Sequence, residues 1–171
     1  RSWVVTSSEL GVGAPTVTLT RAYDGTRTAA VVAGALSGVA AGHDVTVSAT
    51  GLYDTASAGT GKTVTVTYVL GGADAGKYVA PAAQTFGTGV ITARGLTVSG
   101  LAAVSRAYDG TTVASVSGTP VLSGVVTGDT VTVSGTATGA FASKGVGTGK
   151  TVTVSGLSLG GVSSANYTLT A

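Results

Sequence analysis

The chain is written in short runs where Thr or Ser alternates with Val, Leu or Tyr. Thr16-Val17-Thr18-Leu19-Thr20 is the first clear run, and Thr63 to Leu70 is the longest. In the longer run Val64, Val66, Tyr68 and Leu70 fall on one side of an extended backbone, and Thr63, Thr65 and Thr67 on the other. A period of two marks a strand with one face in a core and one in solvent. No segment sustains a helical period. The Ala-rich stretch from Ala29 to Ala41 is broken by Gly34, Gly38 and Gly42, and glycine inside a helix costs about 1 kcal/mol relative to alanine. Many short strands separated by turn residues predict an all-β fold.

The pattern occurs twice. Arg21-Ala22-Tyr23-Asp24-Gly25-Thr26 returns as Arg106-Ala107-Tyr108-Asp109-Gly110-Thr111. Val45 to Ser48 returns as Val131 to Ser134, Gly59 to Val66 as Gly147 to Val154, and Tyr78 as Tyr167. The spacing between matched segments grows along the copy, which puts the insertions in loops. Tyr53 falls opposite Phe141, a shared aromatic core position. A fixed period governs every other reading of a chain, and here it predicts two tandem modules. Residues 1–94 hold a lead-in and the first module; residues 95–171 hold the second. Asp74-Ala75-Gly76-Lys77-Tyr78 has the Asp-x-Gly-x-Tyr spacing of a tyrosine corner, so the expected architecture is two immunoglobulin-like β-sandwiches. Ser163 to Tyr167 keeps only the tyrosine of that pattern.

The two ends differ. After Tyr78 the chain continues through Phe86-Gly87-Thr88-Gly89-Val90-Ile91-Thr92, which reads as a closing strand, whereas Thr168-Leu169-Thr170-Ala171 follow Tyr167. If both modules share one fold, the second lacks its last strand. Trp3, Val4 and Val5 form a β-prone run in the lead-in. They are candidates, with Tyr167 and Leu169 as the receiving edge, for strand complementation between molecules, because an open sheet edge templates pairing.

Composition narrows the chemistry. Only 9% of residues are charged and the net charge is +2, with no Lys/Arg cluster to follow phosphates, so nucleic acid is not an expected partner. There is no cysteine, which excludes disulfides, thiolate catalysis and zinc-thiolate sites. Mean hydropathy is +0.47, yet no stretch approaches the roughly 20 apolar residues of a helical membrane span.

Gly59-Thr60-Gly61-Lys62-Thr63 resembles a phosphate loop only superficially. The pattern needs glycine at position 56, where Ala56 stands, and a helix afterwards, where a strand is predicted. The seven acids are scattered, and a calcium ion wants six to eight oxygens; no metal site and no cofactor are expected. His43 is the single histidine and its counterpart is Asp129, so it reads as a solvent-facing loop residue rather than a general base. No catalytic residue is assigned. Tyr23, Asp24, Tyr108 and Asp109 are the candidate ligand-binding residues, each pair offering a stacking face and an acceptor to a sugar. The competing reading is a turn, since Asp-Gly already favours one.

Tyr-Asp-Gly-Thr near the start of each copy, Gly128-Asp129-Thr130-Val131-Thr132-Val133, Gly-Thr-Gly-Lys-Thr-Val and Asn166-Tyr167 together resemble the YDG repeats of large bacterial surface adhesins, proteins similar to filamentous haemagglutinins. Copy one departs in His43-Asp44 and Lys77-Tyr78. The resemblance implies tandem extracellular β-modules on the bacterial cell surface, with no enzyme activity. The leading expectation is a structural spacer repeat of a secreted adhesin. Its alternatives are a filament subunit joined by strand complementation and a carbohydrate-binding module. The expected partners are other copies, neighbouring repeats, and host or matrix glycans.

Overall fold

A computed structural model describes residues 6–170. Trp3, Val4 and Val5 lie outside the described residues. The chain is all-β and divides into two compact units, one ending at Thr92 and one beginning at Ala93.

In the first unit the longest strand is Gly59–Gly71. Its neighbours are Thr46–Tyr53 on one side and Gln84–Thr92 on the other, both antiparallel. Thr28–Ala29 extends the first edge. Thr20–Ala22 runs parallel to Gln84–Thr92 at the second edge. These five strands make one sheet that curls into a half-barrel. Val64 and Val66 are fully buried and Tyr68 nearly so, while the intervening threonines face outward, as the alternation required. Tyr53, at the end of its strand, is completely buried against the same face.

The rest of the first unit is a row of short pairings. Ser8–Glu9 runs parallel to Tyr78–Val79. Gly11–Val12 pairs antiparallel with Leu36–Ser37, and Thr16–Val17 with Val31–Val32. The second unit repeats this register: Arg94 opposes Tyr167 in parallel, and Thr97 and Val98 oppose Ser123 and Leu122. Ser8 to Val17 is therefore the counterpart of Arg94–Ala103. Within the lead-in, Ser8 to Val17 thus form the first strand of the first unit. In the second unit this strand is continuous except for an irregularity between Ser99 and Leu101. In the first it is interrupted around Gly13, Ala14 and Pro15.

The second sheet of the second unit is smaller. Val113–Ala114, Thr132–Phe141 and Val152–Gly160 are its three strands. Among the described residues none takes the place of Gln84–Thr92, and Ser105 to Ala107, the counterparts of Thr20–Ala22, form no strand. One unit thus has a five-stranded sheet where the other has three.

Candidate functional site

The repeated hexapeptide folds the same way twice. In the first copy the Asp24 carboxylate accepts the Thr26 N–H and the Thr26 hydroxyl, both at 2.8 Å. Arg21 reaches across the turn, donating from Nη2 to the Thr26 carbonyl at 2.5 Å and pairing through Nη1 with Asp24 Oδ1. Gly25 has φ of 80°, a conformation that glycine alone adopts freely. The second copy repeats each contact. Asp109 accepts the Thr111 N–H at 2.8 Å and hydroxyl at 2.9 Å, Arg106 donates to the Thr111 carbonyl at 2.7 Å and pairs with Asp109, and Gly110 has φ of 78°. The guanidinium also sits over an aromatic ring, 5.2 Å from Tyr53 in one unit and 5.5 Å from Phe141 in the other.

These contacts hold both carboxylates charged. The Asp24 carboxyl lies below its ordinary range: partial desolvation opposes ionisation, but the Thr26 amide and hydroxyl and the Arg21 cation outweigh it. Asp109 is lowered to about 2, chiefly by its hydrogen bond from Arg106 and then by Thr111. One oxygen of each carboxylate, Oδ1, is thus engaged within the turn. Tyr23 is only 5% exposed and Tyr108 is 64% exposed. The four candidate residues do not present the same surface in the two units, because Tyr23 has no free stacking face.

A second clamp holds the opposite end of each unit. Tyr78 follows the 3-10 turn Ala75–Lys77 and Tyr167 follows Ser164–Asn166. The Tyr78 hydroxyl accepts the Ala40 N–H at 3.0 Å and lies 2.6 Å from His43 Nδ1. The Tyr167 hydroxyl accepts the Val126 N–H at 3.0 Å and donates to the Asp129 carboxylate. Burial first, then the Asp129 carboxylate, raises the Tyr167 phenol above its ordinary value. His43 is therefore not a bystander in solvent: it fills the role that Asp129 fills in the other copy. The supporting acceptor is exchanged too. Asp74 receives the Asp44 N–H at 2.9 Å, and Ser163 receives the Thr130 N–H at 3.2 Å. Both copies keep the clamp although the sequence pattern around the second tyrosine is lost.

Lys62, weighed in the sequence only as part of a phosphate-loop pattern, lies in the core of the first unit. It is buried to 7% exposure, and its Nζ donates to Thr55 Oγ1 at 2.5 Å. Position 62 continues the inward face of Val64 and Val66, which was a readable signal. Lys150 makes the equivalent reach to the Ser143 carbonyl at 3.0 Å and hydroxyl at 2.6 Å. Gly61, within the strand Gly59–Gly71, and Gly149, ahead of Val152–Gly160, both take positive φ, 66° and 64°.

Tyr167 is 5% exposed, and Tyr167–Leu169 is already paired with Arg94–Ala103. The open surface of the second unit lies elsewhere. A groove runs between Val104 to Tyr108 on one wall and Phe141, Lys150 and Val152 on the other. Among the described residues no group of three or more His, Cys, Asp or Glu is placed to hold a metal ion, and no helix is long and apolar enough to cross a membrane.

Comparison with known proteins gives one family. The model of the YDG domain matches residues 6–85 and again residues 92–171. No curated protein and no solved structure matches the chain significantly.

Proposed function

The chain belongs to the YDG domain family in both of its units, and from that premise we propose that it is a structural repeat of an exported bacterial surface adhesin. Its work on this reading is to extend and space, and no reaction is assigned to it. One observation carries the proposal. The polar side chains common to both copies are directed at the chain's own backbone and turns. Arg21 and Arg106 tie carbonyls, Asp24 and Asp109 cap amides, and Tyr78 and Tyr167 capture loop N–H groups. A catalytic module aims its repeated polar groups at a cleft; these close turns.

The finer fold on this reading is an immunoglobulin-like sandwich. It is supported by two packed sets of strands in each unit and by a first strand that runs parallel to the strand after the tyrosine. Location at the cell surface follows from the adhesin reading. Scarce charge and abundant Thr and Gly would give the module a surface with little electrostatic steering.

The test is mechanical. Pulled by its ends, a load-bearing pair of β-units gives two separate force peaks, each releasing roughly 280 Å of chain. A featureless extension would refute the spacer role. A glycan array covers the carbohydrate reading: binding that is lost in Tyr108→Ala would replace the spacer reading with a ligand-binding one.

A further inference from the structure

The two tyrosine clamps close the same kind of four-residue turn. Residues 40–43 are closed by the His43 N–H donating to the Ala40 carbonyl at 3.1 Å, and residues 126–129 by the Asp129 N–H donating to the Val126 carbonyl at 3.0 Å. The third residue is glycine in both, Gly42 with φ of 83° and Gly128 with φ of 95°. The first residue of each turn gives its N–H to the tyrosine hydroxyl, at 3.0 Å in both units. The fourth residue also meets that hydroxyl, and here the units differ in kind: it is His43 in one and Asp129 in the other.

That exchange decides where the phenol proton goes. A phenol carries one proton and accepts through its oxygen, and an ionised carboxylate can only accept. Tyr167 uses both roles, accepting from Val126 and donating to Asp129. Tyr78 accepts from Ala40, so its own proton needs an acceptor, and His43 Nδ1 stands 2.6 Å away. This arrangement requires a neutral imidazole with its proton on Nε2. An imidazolium carries a proton on both nitrogens. Protons from Ala40, from Nδ1 and from the phenol itself would then converge on one oxygen. We propose that residues 40–43 and Tyr78 form a proton-sensitive latch, closed while His43 is neutral and loosened when Nδ1 takes up a proton, and that residues 126–129 have no such response in the same titration.

The charged neighbours favour opening. Asp74 lies within electrostatic reach of the imidazole. Its carboxylate accepts the Asp44 N–H at 2.9 Å and pairs with Lys77 Nζ at 2.5 Å. The Lys77 hydrogen bond first, and then the Asp44 amide, hold the Asp74 carboxyl below its ordinary range, so it stays an anion while a histidine titrates. An imidazolium released from Tyr78 therefore has a carboxylate to turn towards. Asp44, next in the chain, carries a second one, which accepts the Ala73 N–H at 3.3 Å. Glu9 stands on the neighbouring strand, opposite Val79. In the second unit Ser163 occupies the place of Asp74 and accepts the Thr130 N–H with a neutral hydroxyl. The inference goes beyond the spacer reading and does not rest on it.

His43 is the single histidine, so its imidazole resonances are unambiguous. Nitrogen-15 spectra of the intact chain, titrated from alkaline to acid, report the tautomer and the protonation of His43. The Ala40 and Val126 amides report the two turns in the same sample. The neutral imidazole should carry its proton on Nε2. As it titrates, the exchange protection of Ala40, corrected for intrinsic pH dependence, should fall roughly fivefold, the equilibrium equivalent of one lost hydrogen bond. Val126 should keep its protection over the same range. In His43→Asn the side-chain oxygen takes the place of Nδ1 and no proton is taken up, so Ala40 protection should stay level there. A neutral His43 protonated on Nδ1 overturns the proposal. So does an Ala40 amide that keeps its protection through the imidazole titration, one that falls in step with Val126, or one that falls equally in His43→Asn. If the variant fails to hold the turn at any pH, the titration of the native chain decides alone. Two force peaks from the single chain would survive any of these results, so failure here is separable from failure of the spacer reading.

Discussion

Val66 and Val154 are the same residue at the same place in two copies of one unit, and their truncation should cost different amounts. Val66→Ala removes two methyl-sized groups from a position of 0% exposure. Transfer alone accounts for about 1.6 kcal/mol at ~0.8 kcal/mol per group. The closed cavity left beneath Gln84–Thr92 adds to that, giving about 2.5 kcal/mol. Val154 is already 40% exposed, so roughly 60% of the transfer remains and no closed cavity forms, leaving about 1 kcal/mol. With an m-value of roughly 1 kcal/mol/M in urea for a unit of this size, the midpoints should fall by about 2.5 M and 1 M. Hydrogen exchange with peptide-level readout across a urea series reports each unit separately within the intact chain. Equal losses, or a larger loss at Val154, would refute the claim that one core is covered and the other is not.

Three further outcomes follow from the clamps and the strand Gln84–Thr92. Tyr78→Phe removes the acceptor of the Ala40 N–H and should destabilise the first unit by about 1–2 kcal/mol, read as a midpoint shift confined to residues before Ala93; an unchanged midpoint counts against the clamp. Gly89→Ala should destabilise the first unit, because the added Cβ meets the Lys62 carbonyl oxygen at 2.8 Å, whereas Gly87→Ala, which meets nothing within 4 Å, should not; thermal melts of the two variants decide this. Asp109 has a folded value lowered to about 2 by Arg106 and Thr111, so its contribution is present above its ordinary value of 3.8 and lost as pH falls through about 2. The Thr111 amide resonance should move across that window in the native chain and stay still in Asp109→Asn.

Much of the fold was legible because it is local. The Thr/Val alternation places Val64, Val66 and Tyr68 inward, and they are buried. Asp-Gly predicts the turn, and the turn is there twice. The clamp at the second tyrosine was not legible from spacing, because Ser163 and Asp129 do with other side chains what Asp74 and His43 do in the first copy. The lead-in could not be recognised as a first strand without the Ser8–Tyr78 pairing, since its partner lies at the far end of the unit. Least legible was the difference between Tyr23 and Tyr108. Identical hexapeptides surround them, and burial is decided by a strand that arrives from Gln84–Thr92 in one unit only. Among the described residues Tyr167–Leu169 is already paired with Arg94–Ala103, so the sequence reading of an open edge there does not hold.

The account holds that among the described residues Gly59–Gly71 is paired on both edges and Val152–Gly160 on one. Amide hydrogen exchange of the intact chain measures this directly. Outward amides of Val152–Gly160 should exchange fast while those of Gly59–Gly71 are slow. Equal protection of the two strands would contradict it.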